Sequence, residues 1–336
     1  MSLKSLLQSL SPKRRSARRS YERAIDEAAE LIGKDARELP RALERAIAAG
    51  ETAFGQEAEE LAAPLYALAA HFLATGAAKQ ALTASSRLQT IATAPDRTEP
   101  TFVQVKALHA AILVREDASS SAAAIALEEW ARAAEVAGDA QAAGAAWNQV
   151  ALTMARKGER DLAAVLFEKA RKHRTQALGD SALPTLETIF NAATFRGSQM
   201  DLEVAEADLR LVVRALESQS REEVVELQAS ALHNLAVLRE ERGDAEEARL
   251  LYARALSVFE QRYGLKGREL RPTLVRLALL HHREGSLLLA IEAYDRAYEI
   301  ATAELGAEHP IPVAIRAWKT ELTEGVGPGA VERGLA

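Results

Sequence analysis

Residues 231–256 read ALHNLAVLREERGDAEEARLLYARAL, and residues 274–298 read LVRLALLHHREGSLLLAIEAYDRAY. The two align at an offset of 42 residues, which pairs Ala236 with Ala278, Gly243 with Gly285 and Tyr252 with Tyr294. Each is a run of strong helix formers interrupted once by glycine, so each predicts two helices joined by a turn. A chain that repeats itself at a fixed interval is searched for further copies before anything else.

Stepping from Gly243 in both directions gives anchors at Gly76, Ala118, Gly158, Met200, Gly243 and Gly285, spaced by 42, 40, 42, 43 and 42 residues. Seven residues before them stand Ala69, Ala111, Ala151, Ala193, Ala236 and Ala278. Five residues after stand Ala81, Ala123, Ala163, Ala205, Ala248 and Ala290. Alanine is frequent here, but twelve matches at two fixed offsets define a repeat. Nine residues after the anchor the side chain is large in five of six copies: Leu127, Phe167, Leu209, Tyr252 and Tyr294, with Ser85 the exception. Small residues on facing helices allow close approach, and a large one further along fills the remaining gap. The expected architecture is all-α: about six antiparallel helix pairs over residues 54–311, stacked as a right-handed superhelical solenoid. Residues 21–53 are expected to add two helices, with Pro40 in the first turn of the second. Residues 312–324 read as a capping helix and 325–336, GVGPGAVERGLA, as a flexible tail whose glycines lack the preceding strand of a nucleotide-binding motif.

The chain of 336 residues is 48% hydrophobic but only 5% aromatic, which suits helices packed through small side chains. It has no cysteine, so disulfides, thiolate nucleophiles and thiolate metal sites are excluded. No apolar run approaches the length of a membrane span, and the first residues are ordered wrongly for a secretory signal. A cytoplasmic protein is expected. The net charge of −6 is unevenly distributed. Residues 1–20 hold six basic residues and no acid, so the rest of the chain carries a formal −12. An acidic body argues against nucleic-acid binding by the repeats.

The stretches LGDSALPTLETIFNAATFRG (178–197), ALHNLAVLREERGDAEEARLLYARAL (231–256) and LGAEHP (305–310) resemble the tetratricopeptide repeat, in its kinesin-light-chain-type 42-residue form found in bacterial proteins. The likeness is full over about 140–311; the first two repeats share only the alanine framework. Met200 departs from the turn glycine, and Arg239 stands where an aromatic residue is usual. The resemblance implies a partner's extended segment bound along the concave first helices. Positions two and three residues before the first alanine hold Asn148 and Gln149, Asn191, His233 and Asn234, and Arg276. Asparagine is a moderate helix former, so its recurrence in one row points to use, and its amide can donate to and accept from a peptide bond. Arg276 would add a carboxylate contact. The alternative for these residues is inter-helix hydrogen bonding or plain exposure.

His281 and His282 are adjacent and therefore point about 100° apart on a helix, which does not suit one metal ion. They read as surface or groove residues, with His282 and Arg283 extending a positive end. No nucleophile elbow, phosphate loop or HExxH motif is present, and neither catalysis nor a cofactor is expected. In the first twenty residues, Leu3, Leu6, Leu7 and Leu10 form one helical stripe ahead of Lys13, Arg14, Arg15, Arg18 and Arg19. This basic, flexible segment could meet an anionic membrane, dock on an acidic protein or nucleic acid, or simply pack and be solvated. The expected function is a non-enzymatic scaffold that binds another protein or peptide. A regulatory sensor that changes shape on binding a ligand is the alternative, and self-assembly into a homo-oligomer is a third.

Overall fold

Left-handed backbone closes five of the six predicted helix pairs. The angle φ is 79° at Gly76, 80° at Gly158, 66° at Met200, 81° at Gly243 and 73° at Gly285. This computed structural model describes residues 12–92, 101–217, 219 and 222–324, with only the backbone at residues 12 and 15. In each of the five turns the N–H after the anchor bonds the carbonyl four residues before it, at 2.8–3.1 Å. That closure satisfies orphan carbonyls at the end of the first helix and reverses the chain. Met200 is the one non-glycine residue with positive φ among the described residues. Its Cβ costs about 1 kcal/mol in that region, and the turn geometry is kept regardless.

The fifteen α-helices found among the described residues are α1 (Pro12–Leu31), α2 (Leu39–Phe54), α3 (Ala62–Thr75), α4 (Ala78–Ile91), α5 (Phe102–Asp117), α6 (Ser121–Val136), α7 (Ala140–Lys157) and α8 (Arg160–Leu178), then α9 (Leu183–Ser198), α10 (Leu202–Glu217), α11 (Val225–Glu241), α12 (Ala245–Tyr263), α13 (Arg271–Arg283), α14 (Leu287–Leu305) and α15 (Pro310–Thr323). No strand occurs among these residues. The helices divide into two compact units, Met1–Gly179 and Asp180–Ala336, with the division between repeats three and four. In the first unit α1/α2, α3/α4, α5/α6 and α7/α8 form pairs. In the second, α9/α10, α11/α12 and α13/α14 form pairs, and α15 packs on α14.

Eleven of the twelve framework alanines are fully buried, as are Phe167, Tyr252 and Tyr294 nine residues past their anchors. The exception corrects the reading of repeat two. Ala111 is exposed and Ala110 is buried in its place. The reason lies in the turn: φ at Ala118 is −63°, and α6 starts three residues after that position instead of two. Without a left-handed residue the turn is closed by polar side chains. Asp117 accepts from the Ser119 N–H at 2.9 Å, and Ser120 caps α6 by accepting from the Ala123 N–H at 3.1 Å. The inserted residue shifts α5 by one position.

The helical extension is a true pair. Pro40 sits in the first turn of α2, as its fixed φ favours. Its partner α1 begins at Pro12, however, so residues 12–20 are helical and not a flexible segment. Lysine, arginine and alanine are good helix formers, and the basic run simply continues into the packed part of α1. The leucine stripe at 3–10 and the tail at 325–336 lie outside the described residues. At the other end α15 buries Ile315, Trp318 and Leu322, with the Trp318 ring 6.4 Å from that of Tyr294. No described helix is long and apolar enough to cross a membrane.

Candidate functional site

The first helices of the second unit, α9, α11 and α13, carry the predicted row at Asn191, His233, Asn234 and Arg276. These residues do not stand apart from the repeat contacts. The Asn234 amide donates to the Thr194 hydroxyl of α9 at 2.8 Å. His233 Nδ1 lies 2.9 Å from the Thr273 hydroxyl of α13. Asn234 and His233 therefore link successive repeats, the inter-helix hydrogen bonding expected as the alternative for these residues. Asn234 still has a carbonyl oxygen and a second N–H available. It lines a cleft of about 230 Å³ with Thr194, Ser198, Val237, Leu238 and Glu241.

Burial sets the electrostatics. The His233 ring is pushed down to about 4, first by burial and then by the Arg276 guanidinium. At neutral pH it is an uncharged hydrogen-bonding ring, packed with its centroid 5.5 Å from that of Tyr252. Burial also holds the Tyr252 phenol above its ordinary value, against the opposing charge of Arg276. Its hydroxyl donates to Glu240 Oε2 at 2.7 Å. The Glu240 side chain is 8% exposed, and its other oxygen accepts from Arg283 and stands 3.9 Å from Arg276. A buried carboxylate is tolerable only with such partners. Arg276, with 45% of its side chain exposed, keeps most of its donors for other groups. Two arginines of repeat six thus converge on one carboxylate of repeat five.

Other predicted positions fall elsewhere. Asn148 is buried on α7, only 3% exposed, while Gln149 is partly exposed. Arg283 is exposed but reaches back to Glu240. His281 and His282 are not surface residues: both are buried, and His282 Nδ1 lies 3.4 Å from the Tyr294 hydroxyl inside the α13/α14 pair. Burial likewise lowers the His281 pKa, although Glu284 opposes it. Thr194, Thr273, Glu240 and Tyr252 were missed as participants. The signal for the last two was present, since Glu240 and His282 occupy one repeat position and Tyr252 and Tyr294 another.

Paired helices, left-handed turns and an alanine framework at 42-residue intervals define a tetratricopeptide-type repeat fold. Three solved structures share it. The apo form of RapI matches with a TM-score of 0.60 at 13% identity, over 83% of this chain and 97% of that one. The apo form of the quorum sensor NprR from B. thuringiensis gives 0.57 at 11% identity, over 96% and 91%. A Rap protein in complex with Competence and Sporulation Factor gives 0.56 at 16% identity, over 93% and 83%. No protein-family model and no curated protein sequence matches the chain.

Proposed function

We propose that the chain is a non-enzymatic protein-interaction module whose first helices hold an extended segment of a partner protein. The observation that carries this reading is the Asn191, Asn234 and Arg276 row on α9, α11 and α13, with the α9/α11 cleft beside it. Asn234 offers a peptide backbone both a donor and an acceptor, and Arg276 offers guanidinium N–H groups to an acidic side chain. His233, neutral at pH 7, adds no charge that would favour one chain direction. The two similar structures described as a quorum sensor and as a complex with Competence and Sporulation Factor support a bound factor as the kind of partner.

A sensor is the second reading, favoured by the Asn234–Thr194 and His233–Thr273 bonds. A segment competing for those groups would alter the spacing between repeats, which scattering in solution with and without ligand would detect. The interaction reading is tested by paired affinity captures from source-cell lysate. One bait is the parent chain; the other carries Asn191→Ala, Asn234→Ala and Arg276→Ala and melts at the same temperature. Proteins lost only from the variant support the row as the binding surface. Proteins retained by both exclude it.

A further inference from the structure

The cleft beside Asn234 is kept open by small residues. Ala193 and Gly197 of α9 line it together with Val237 and Leu238 of α11. A Cβ on Gly197 would stand 3.1 Å from the Leu238 side chain, so only glycine leaves this space clear. The lining is chiefly aliphatic, with Asn234 and the exposed Glu241 as its polar members on α11. At about 230 Å³ the cleft is smaller than the roughly 300–1,000 Å³ of sites that enclose whole small ligands. It suits a single side chain.

Arg276 marks a second point of contact. Its guanidinium reaches back from α13 to stand 3.9 Å from Glu240 of α11. The Asn234–Thr194 and His233–Thr273 bonds join α9 to α11 and α11 to α13 directly. Helices in contact lie about 8–10 Å apart, and about one such step separates the cleft from the guanidinium. A β-strand matches that step poorly, since its same-face residues recur at about 7 Å and then at about 14 Å. Polyproline II places residues i and i+3 on one face about 9 Å apart. Charge assigns the two places. Glu241 disfavours an acidic side chain in the cleft, whereas Arg276 has exposed donors for one.

We propose that the bound segment adopts polyproline II and carries an aliphatic residue, seated in the α9/α11 cleft, three positions from an aspartate or glutamate held by Arg276. The selectivity rests on the reading of the Asn191, Asn234 and Arg276 row as the binding surface, and adds which segments that surface chooses. Polyproline II has no internal hydrogen bonds, so its amides and carbonyls remain open to Asn234.

The test is selection of a displayed library of random peptides on the full chain and on three variants that melt at the parent's temperature. Ser198→Trp fills the cleft from an exposed position, and Arg276→Gln removes the charge. The third variant combines Asn191→Ala, Asn234→Ala and Arg276→Ala. The parent should enrich an aliphatic residue and an acid three positions apart. Ser198→Trp should lose only the aliphatic preference and Arg276→Gln only the acidic one, each binding the parent's best peptide about tenfold more weakly. Enriched peptides that the triple variant loses, but that lack this pair or show it at another spacing, overturn the inference and leave the row as the binding surface. So does an aliphatic preference that survives Ser198→Trp. Peptides retained by the triple variant, or none enriched by the parent, overturn both.

Discussion

In repeat five, the position three residues before the turn glycine holds Glu240, whose carboxylate accepts the Tyr252 hydroxyl at 2.7 Å. In repeat six the same position holds His282, with its ring nitrogen 3.4 Å from the Tyr294 hydroxyl. Turn geometry, framework alanines and the buried tyrosine are common to both. What differs is the neighbour. Glu240 faces another repeat and takes Arg283 and Arg276 from it, whereas beyond repeat six comes α15, whose Trp318 packs on Tyr294. Small residues and turns thus set the helix pair, and the polar positions are free to follow whatever is stacked alongside.

Substitution of the shared framework should affect both repeats alike. Ala236→Leu and Ala278→Leu force a branched side chain between closely packed helices, and each should cost about 3 kcal/mol in denaturant unfolding. Unequal losses would show that the two pairs are not equivalent. The next largest effect is a pH dependence weighted towards repeat five. His233 has its folded pKa depressed to about 4, so it binds a proton more readily when unfolded. Its contribution, about 2–3 kcal/mol, is present above the unfolded value near 6.5 and is lost as pH falls towards 4. His281 acts in the same direction in repeat six, where Val275 replaces His233. Melting curves from pH 7 to 4 should therefore flatten more for His233→Gln than for His281→Gln.

Removing the hydroxyls separates the repeats directly. Tyr252→Phe leaves a buried carboxylate one donor short and should cost about 2 kcal/mol, against less than about 1 for Tyr294→Phe. Equal costs would mean that the Glu240 contact has no special weight. The smallest effect has the opposite sign. Met200→Gly should stabilise repeat four by about 1 kcal/mol, because glycine adopts the left-handed turn without strain, and Gly243→Met should lose a similar amount.

The framework was legible because it recurs: a 42-residue period in alanine and glycine needs no knowledge of contacts. It misled at Ala111, where one inserted turn residue moved the buried face to Ala110 while the composition stayed the same. Long-range partners were not legible. Glu240 meets an arginine 43 residues away, and the buried His282 meets Tyr294 of α14. The basic run of α1 read as a tail because charge density suggests solvation, yet the same residues are good helix formers next to a packed segment.

The central proposal is that a partner lies along α9, α11 and α13 and not on the outer helices. A photo-crosslinking amino acid placed in source cells at Asn234, or at the exposed Leu250 of α12, tests this most directly. Crosslinking of a partner chain from position 234, absent or much weaker from position 250, is the predicted result. Crosslinks from 250 alone would contradict it and place the partner on the opposite helices.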